Sequence, residues 1–258
     1  MTKSARNLLL LVAALIVVAA AVAAYFWQTP AHNPNALWQL ISERCVPDME
    51  EHGKPAPCSE VNESLGYVTL KDRNGILQYL LMPVDHISGI ESPELLQRNT
   101  PNFFAIAWEQ RQLAKAIMVQ HHQQVPDSAL SLAINSEYGR TQNQLHIHIS
   151  CLRQDVRQQL DVLTPSLNDH WQQHELGPND YWLRELSDQQ LHDESAFIRL
   201  ARELPDANDN MGHYGLALAN LPNGKLVLMA IKANWFAANN ASAEELQNHS
   251  CPILNTRL

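Results

Sequence analysis

Two histidines stand two residues apart in the stretch Gln144-Leu145-His146-Ile147-His148-Ile149-Ser150. The stretch alternates strictly, with polar residues at 144, 146, 148 and 150 and apolar Leu145, Ile147 and Ile149 between them. A period of two is the mark of a β-strand with two faces, the apolar one turned to a core. The two imidazoles then point the same way, with Cβ atoms roughly 7 Å apart. A neutral imidazole held in one tautomer can attack phosphorus and form a phosphoramidate that water later cleaves. The developing phosphate charge needs donors. Arg140, Thr141, Gln142, Gln144 and Ser150 are near enough in sequence to supply them. Two other readings stand beside this one. A His-x-His pair also suits zinc, which needs a third ligand and an outer shell; His121, His122, His170, His174 or His213 would bring that ligand from afar. The pair can also be no more than the polar face of an edge strand.

Neighbouring elements must hold this strand in place. Residues 66–71 and 77–84 read as strands around the turn Asp72-Arg73-Asn74-Gly75, whose Asn-Gly end favours a hairpin. Residues 102–120 carry the longest helical pattern. Residues 129–135 read as a strand leading through a polar turn into the histidine strand, which makes a second hairpin. A helix is expected over 153–163 and helical pieces over 188–203; residues 164–181 show no assignable pattern. Strands over 215–219 and 225–231 flank Pro222-Asn223-Gly224. Ser242 and Glu245 read as a capping box opening a last short helix. Hairpins separated by helices predict an α+β fold, an antiparallel sheet with flanking helices.

The net charge of −9 and the lack of a basic block exclude nucleic acid as a partner. Leu8 to Trp27 is an unbroken apolar run of about the length that crosses a bilayer. Lys3 and Arg6 precede it, and no Lys or Arg follows before Arg44. That asymmetry places the N-terminus in the cytoplasm and the rest beyond the membrane. Residues 1–28 are thus expected to be a transmembrane helix, with a cleaved signal peptide as the alternative. Residues 29–258 form the catalytic domain, expected on the periplasmic side of the inner membrane. Cys45, Cys58, Cys151 and Cys251 allow three pairings. Local closure across a Pro-rich segment favours Cys45–Cys58, which leaves Cys151–Cys251; four free thiols are the alternative. An oxidising compartment would make both bonds persist.

Gln144-Leu145-His146-Ile147-His148-Ile149 resembles the histidine-triad motif of nucleotidyl hydrolases and transferases. More closely, the chain is similar to the bacterial CDP-diacylglycerol pyrophosphatase family over nearly its whole length. The matching stretches include Leu81-Met82-Pro83, Gly89-Ile90-Glu91-Ser92-Pro93, Pro101-Asn102-Phe103-Phe104, Ala133-Ile134-Asn135-Ser136 and Gly139-Arg140-Thr141-Gln142. The resemblance implies a histidine-triad-like fold and cleavage of CDP-diacylglycerol to CMP and phosphatidate, through a cytidylyl-histidine intermediate and without a cofactor. It makes His146 the nucleophile and His148 the third position of the triad. Asn135, Arg140, Gln142, Gln144 and Ser150 become contacts to substrate. Gln144 departs from the triad, since a histidine is expected there. A shifted register, with His148 as nucleophile and Ser150 third, stays open. So do a non-catalytic nucleotide- or lipid-binding envelope protein and a metal-dependent hydrolase. Nothing in the sequence speaks to an oligomeric state.

Overall fold

The computed structural model describes residues 7, 12, 14–18, 33–120 and 124–255. The chain divides into two units, Met1–Pro34 and Asn35–Leu258. In the first unit residues 14–18 are helical and exposed. The second is built on one nine-stranded sheet of β1 (Glu60–Asn62), β2 (Tyr67–Lys71), β3 (Tyr79–Pro83), β4 (Leu130–Ile134), β5 (Ile147–Cys151), β6 (Gln172–Leu176), β7 (Asn179–Leu186), β8 (Tyr214–Asn220) and β9 (Leu226–Lys232). Their order is β1-β2-β3-β5-β4-β8-β9-β7-β6, and every neighbouring pair is antiparallel.

The α+β expectation holds for this unit, but the transmembrane helix expected in front of it has to be withdrawn. Among the described residues no helix is long and apolar enough to cross a membrane. The remainder of the apolar run lies outside the described residues.

Most strands follow the alternation and the turn residues. β2 (Tyr67–Lys71) and β3 (Tyr79–Pro83) pair as a hairpin, and Gly75 in their turn takes the left-handed conformation at φ +74°, which glycine adopts without a Cβ penalty. β4 (Leu130–Ile134) and β5 (Ile147–Cys151) pair next to each other. β8 (Tyr214–Asn220) and β9 (Leu226–Lys232) form the third expected hairpin. The segment without an assignable pattern holds β6 (Gln172–Leu176), which pairs with β7 (Asn179–Leu186) at the end of the sheet. Its Gln-Gln-His-Glu run is polar on both faces because it is an edge strand, so hydropathy gave no period. β1 (Glu60–Asn62) closes the opposite edge.

The sheet buries both faces. On one, Leu81, Ile147, Ile149, Leu132, Leu216 and Leu228 pack into a large core that includes Phe104 and Trp108 of the helix Phe103–Gln120. Ile147 and Ile149 are fully buried, each contributing about 2 kcal/mol by area. The other face carries two separate cores. Val68, Leu80 and Met82 meet Ile41 and Cys45 of a helical run assembled from Ala36–Leu40, Ile41–Cys45 and Val46–His52. Further along the sheet, Ala133, Ala217, Val227 and Met229 meet Val156 and Leu160 of the helix Gln154–Leu163 and Leu246 of the C-terminal segment. Leu80 pairs with His148, and His148 pairs with Ala133. The histidine strand therefore lies in the gap between these two cores.

Both sequence-favoured disulfides are present, Cys45–Cys58 and Cys151–Cys251. The second ties the C-terminal segment to the end of β5. That segment also crosses the β2–β3 turn: a Cβ on Gly75 would stand 2.6 Å from the His249 carbonyl oxygen. The expected capping box at its start does not form. Ser242 makes no cap bond; its hydroxyl donates to Asn135 Oδ1 at 3.0 Å, while Glu245 accepts from Asn179 and Tyr181.

Candidate active site

Ladder pairing in β5 begins only at Ile147, so His146 sits where the chain enters the sheet. The approach is fixed by Gln144. Its amide nitrogen donates to the carbonyls of Pro83 and Asp85, both at 3.0 Å, and Leu145 N–H donates to Ile87 O at 2.6 Å. The Gln144 backbone carbonyl is thereby held against His146, whose Nδ1–H donates to it at 2.6 Å. That bond sets the tautomer and leaves the lone pair on Nε2. His146 and His148 are both buried, and their rings meet edge to face with centroids 5.0 Å apart. A solvent-washed edge strand is therefore excluded for these residues.

Both imidazoles line a cleft of about 800 Å³, within the range of small-molecule sites. Leu37, Leu40 and Leu80 give it apolar walls, and Arg44, Lys71 and Arg73 bring cations to it. Lys71 Nζ donates to the carbonyls of Asp72 and Gly75, both at 2.8 Å. Asp72 lines the cleft too, so three cations stand against one carboxylate there; in a chain of net charge −9, that local positive excess favours an anionic ligand.

The seven residues singled out from sequence fall into four groups. His146, His148 and Gln142 line the cleft, and Gln142 Oε1 also accepts from Leu37 N–H at 3.0 Å, pinning the first helix beside the site. Gln144 lies beneath His146 and acts through its carbonyl. Asn135 and Ser150 stand behind His148: Asn135 donates to Glu244 at 3.0 Å, and the Ser150 hydroxyl bonds His249 Nδ1 at 2.8 Å. Arg140 makes a two-pronged pair with Glu91, at 2.6 and 2.8 Å, and Gly89 leaves room for its guanidinium.

Sequence reasoning passed over Arg44, Lys71, Arg73, Gln78, Glu244 and His249. The pairing of Cys151 with Cys251 was the available signal for the last two, because it brings residues just before 251 onto β5. His249 is half-buried; its ring stacks at 6.4 Å on His148, and its Nε2–H donates to Glu244 at 2.9 Å. Among the described residues no group of three or more His, Cys, Asp or Glu side chains is placed to hold a metal. His170, His174 and His213 do not line the cleft, and His121 and His122 lie outside the described residues.

Burial sets the protonation of the site. It pulls His146 below its ordinary value of 6.5, with the Gln144 carbonyl and Glu244 charge working against it. It pulls His148 down as well, again opposed by Glu244. Burial disfavours the Glu244 carboxylate, but bonds from His249 and Asn135 and the proximity of His148 outweigh it and hold the group at about 2. The signs agree. As pH falls below 6.5, the unfolded chain binds protons that the buried histidines refuse, and below 4.5 it also protonates Glu244 before the folded state does. The stability these groups contribute is complete above 6.5 and is lost towards acid. The unfolding midpoint in urea is expected to drop as pH is lowered through 6.5 and again below 4.5. A reaction that needs the neutral His146 ring is expected to show its acid limb in kcat/KM below 6.5.

The family model for CDP-diacylglycerol pyrophosphatase matches residues 32–255. A Yersinia pestis protein named CDP-diacylglycerol pyrophosphatase is 46% identical to this chain over 224 residues, covering 86% of this chain and 86% of that protein.

Proposed function

The chain belongs to the CDP-diacylglycerol pyrophosphatase family, and from that premise we propose that it hydrolyses CDP-diacylglycerol to CMP and phosphatidate through a cytidylyl intermediate on His146. The observation that carries the assignment of the nucleophile is the bond from His146 Nδ1–H to the Gln144 carbonyl. It leaves Nε2 unprotonated in a cleft where Arg44, Lys71 and Arg73 can take the pyrophosphate charge. It also explains the departure from the triad. The first position serves through its backbone carbonyl, which glutamine supplies as well as histidine does, and the Gln144 side chain holds that carbonyl still.

The reaction runs in two displacements. His146 Nε2 attacks the cytidylyl phosphorus, the bond from that phosphorus to the bridging oxygen breaks, and phosphatidate leaves with the electron pair. The proton stays on Nδ1, hydrogen-bonded to the Gln144 carbonyl, which supports the positive ring. Water then attacks the same phosphorus, the phosphorus–nitrogen bond breaks, and CMP leaves. His148 faces the reacting phosphoryl group from the same side of the strand. Both displacements fall on the cytidylyl phosphorus, so hydrolysis in heavy-oxygen water is expected to label CMP and leave phosphatidate unlabelled. Label in phosphatidate would mean attack on the other phosphorus and would overturn the assignment.

The substrate class and the disulfides also bear on where the domain works. A two-tailed lipid resides in a bilayer, so the cleft operates at a membrane surface. Two disulfides and no free cysteine among the described residues favour an oxidising compartment, the periplasmic side of the inner membrane.

A further inference from the structure

Glu244, on the C-terminal segment, takes no part in the displacements above, yet it is built into the back of the site. Its Oε1 stands 3.3 Å from His148 Nδ1 and accepts from His249 Nε2–H at 2.9 Å. Its Oε2 accepts from the Asn135 amide at 3.0 Å. The Asn135 carbonyl oxygen completes the clasp, accepting from the Ser242 hydroxyl and from Glu244 N–H, both at 3.0 Å. Behind this, His249 Nδ1 accepts the Ser150 hydroxyl proton at 2.8 Å.

With Glu244 ionised, this chain of bonds is satisfied when His249 is neutral with its proton on Nε2 and His148 is neutral with its proton on Nδ1, toward the carboxylate. Gln78 fits this arrangement with its amide turned over. Its amide lies 3.1 Å from His148 Nδ1, and its Oε1 is buried without a partner. The two ends of an amide are assigned from the bonds they make; turned over, Gln78 offers that oxygen to the Nδ1 proton. His148 Nε2 then carries the lone pair. It is a buried atom with no hydrogen-bond partner, on a ring that lines the cleft beside His146.

We propose that Glu244 is a positioning residue for His148, and that His148 is the general base for the water that breaks down the cytidylyl-His146 intermediate. The inference deepens the reading under Proposed function and rests on it. In this step the water oxygen bonds to phosphorus as the bond from phosphorus to His146 Nε2 breaks, and that electron pair returns to the His146 ring. The water proton moves to His148 Nε2. The imidazolium so formed is stabilised by the Glu244 carboxylate and later yields its proton to solvent. Burial lowers the basicity of His148, and the anionic phosphoryl group of the intermediate raises it again where it is needed. The first displacement has no use for this base: His146 attacks with its own lone pair and phosphatidate leaves as an anion. Glu244 therefore acts on one half-reaction, which a merely structural residue would not do.

The test separates the two products in time. CDP-diacylglycerol in detergent is mixed with excess-free, quantified wild-type protein, Glu244→Gln and Glu244→Asp, and phosphatidate and CMP are followed independently. Glu244→Gln is expected to give a stoichiometric burst of phosphatidate at close to the wild-type rate. Its CMP release is expected to slow by on the order of 10²-fold, with adduct accumulating on His146. Glu244→Asp, which keeps a carboxylate, is expected to recover part of the CMP release. The burst itself reports that the variant is folded. Unchanged CMP release in Glu244→Gln, or equal loss of both phases in both variants, overturns the role of Glu244. A wild-type protein that forms no adduct at all would instead remove the covalent reading on which the inference rests.

Discussion

Replacing His146 by alanine is expected to lower CMP release on the order of 10⁴-fold or more, the scale seen when a covalent nucleophile is removed, while leaving the fold intact. The side chain sits at the mouth of β5, before the ladder begins at Ile147, and its one described hydrogen bond, to the Gln144 carbonyl, can be met by water in the space alanine leaves. The apolar partners on either side, Leu145 and Ile147, keep their burial. Steady-state CMP release and a urea unfolding curve on the same preparation check both halves of the expectation. The same substitution at His148 separates the two registers. If His148 were the nucleophile and Ser150 the third position, His148→Ala would abolish the phosphatidate burst and His146→Ala would leave it. The geometry favours the opposite, because His148 Nδ1 faces Glu244 and Gln78 rather than the carbonyl two residues back, and Ser150 points to His249 and away from the cleft.

Breaking the Cys151–Cys251 disulfide is expected to lower stability by about 2–4 kcal/mol and to reduce turnover with it. The bond spans a sequence separation of 100 residues, and cross-links over long loops remove the most freedom from the unfolded chain, up to ~5 kcal/mol on the loop-closure view. Without it the C-terminal segment is held by hydrogen bonds and burial alone, among them Asn248 N–H to Cys151 O at 2.9 Å, the Gln247 amide to Ser131 O at 3.0 Å, and the buried side chains of Leu246 and Ile253. This segment carries Glu244 and His249, so loosening it disturbs the support of His148 directly. Cys45–Cys58 closes a separation of only 13 residues, for which the same view gives ~3 kcal/mol. Denaturant unfolding of Cys251→Ser and Cys45→Ser/Cys58→Ser, each without reductant, should rank the first as at least as damaging. Equal midpoints for Cys251→Ser and wild type would show that the tail is held without its disulfide.

The parts of the site that were legible in the sequence are those carried by short-range pattern. A period of two placed His146 and His148 on one face and Leu145, Ile147 and Ile149 on the other. The Asn-Gly turn before β3 and the cysteine pairing were also readable, and with them the meeting of β5 and the C-terminus. What was not legible depends on contacts across long separations. Asn135 and Ser150 looked like substrate contacts because their types suit phosphate and they lie near the histidines. Their bonds go instead to Glu244 and His249, about a hundred residues away in sequence. Arg140 looked like an anion clamp, but Glu91 is folded against it. The cations that do line the cleft, Arg44, Lys71 and Arg73, belong to a helix, to the end of β2 and to the turn after it, where basic residues are commonplace. Glu245 resembled the second half of a capping box, a motif that three residues of sequence cannot distinguish from bonds to Asn179 and Tyr181 on a strand sixty residues earlier. β6 was invisible because an edge strand need not alternate.

The most direct test of the central claim is mass spectrometry of the wild-type protein quenched within its first turnover on CDP-diacylglycerol, followed by sequencing of the peptide that contains β5. The account predicts a cytidylyl group on His146, acid-labile as a phosphoramidate is, and absent from His146→Ala. A modified His148 would move the nucleophile along the strand, and a protein that turns over with no modification on either histidine would contradict covalent catalysis here.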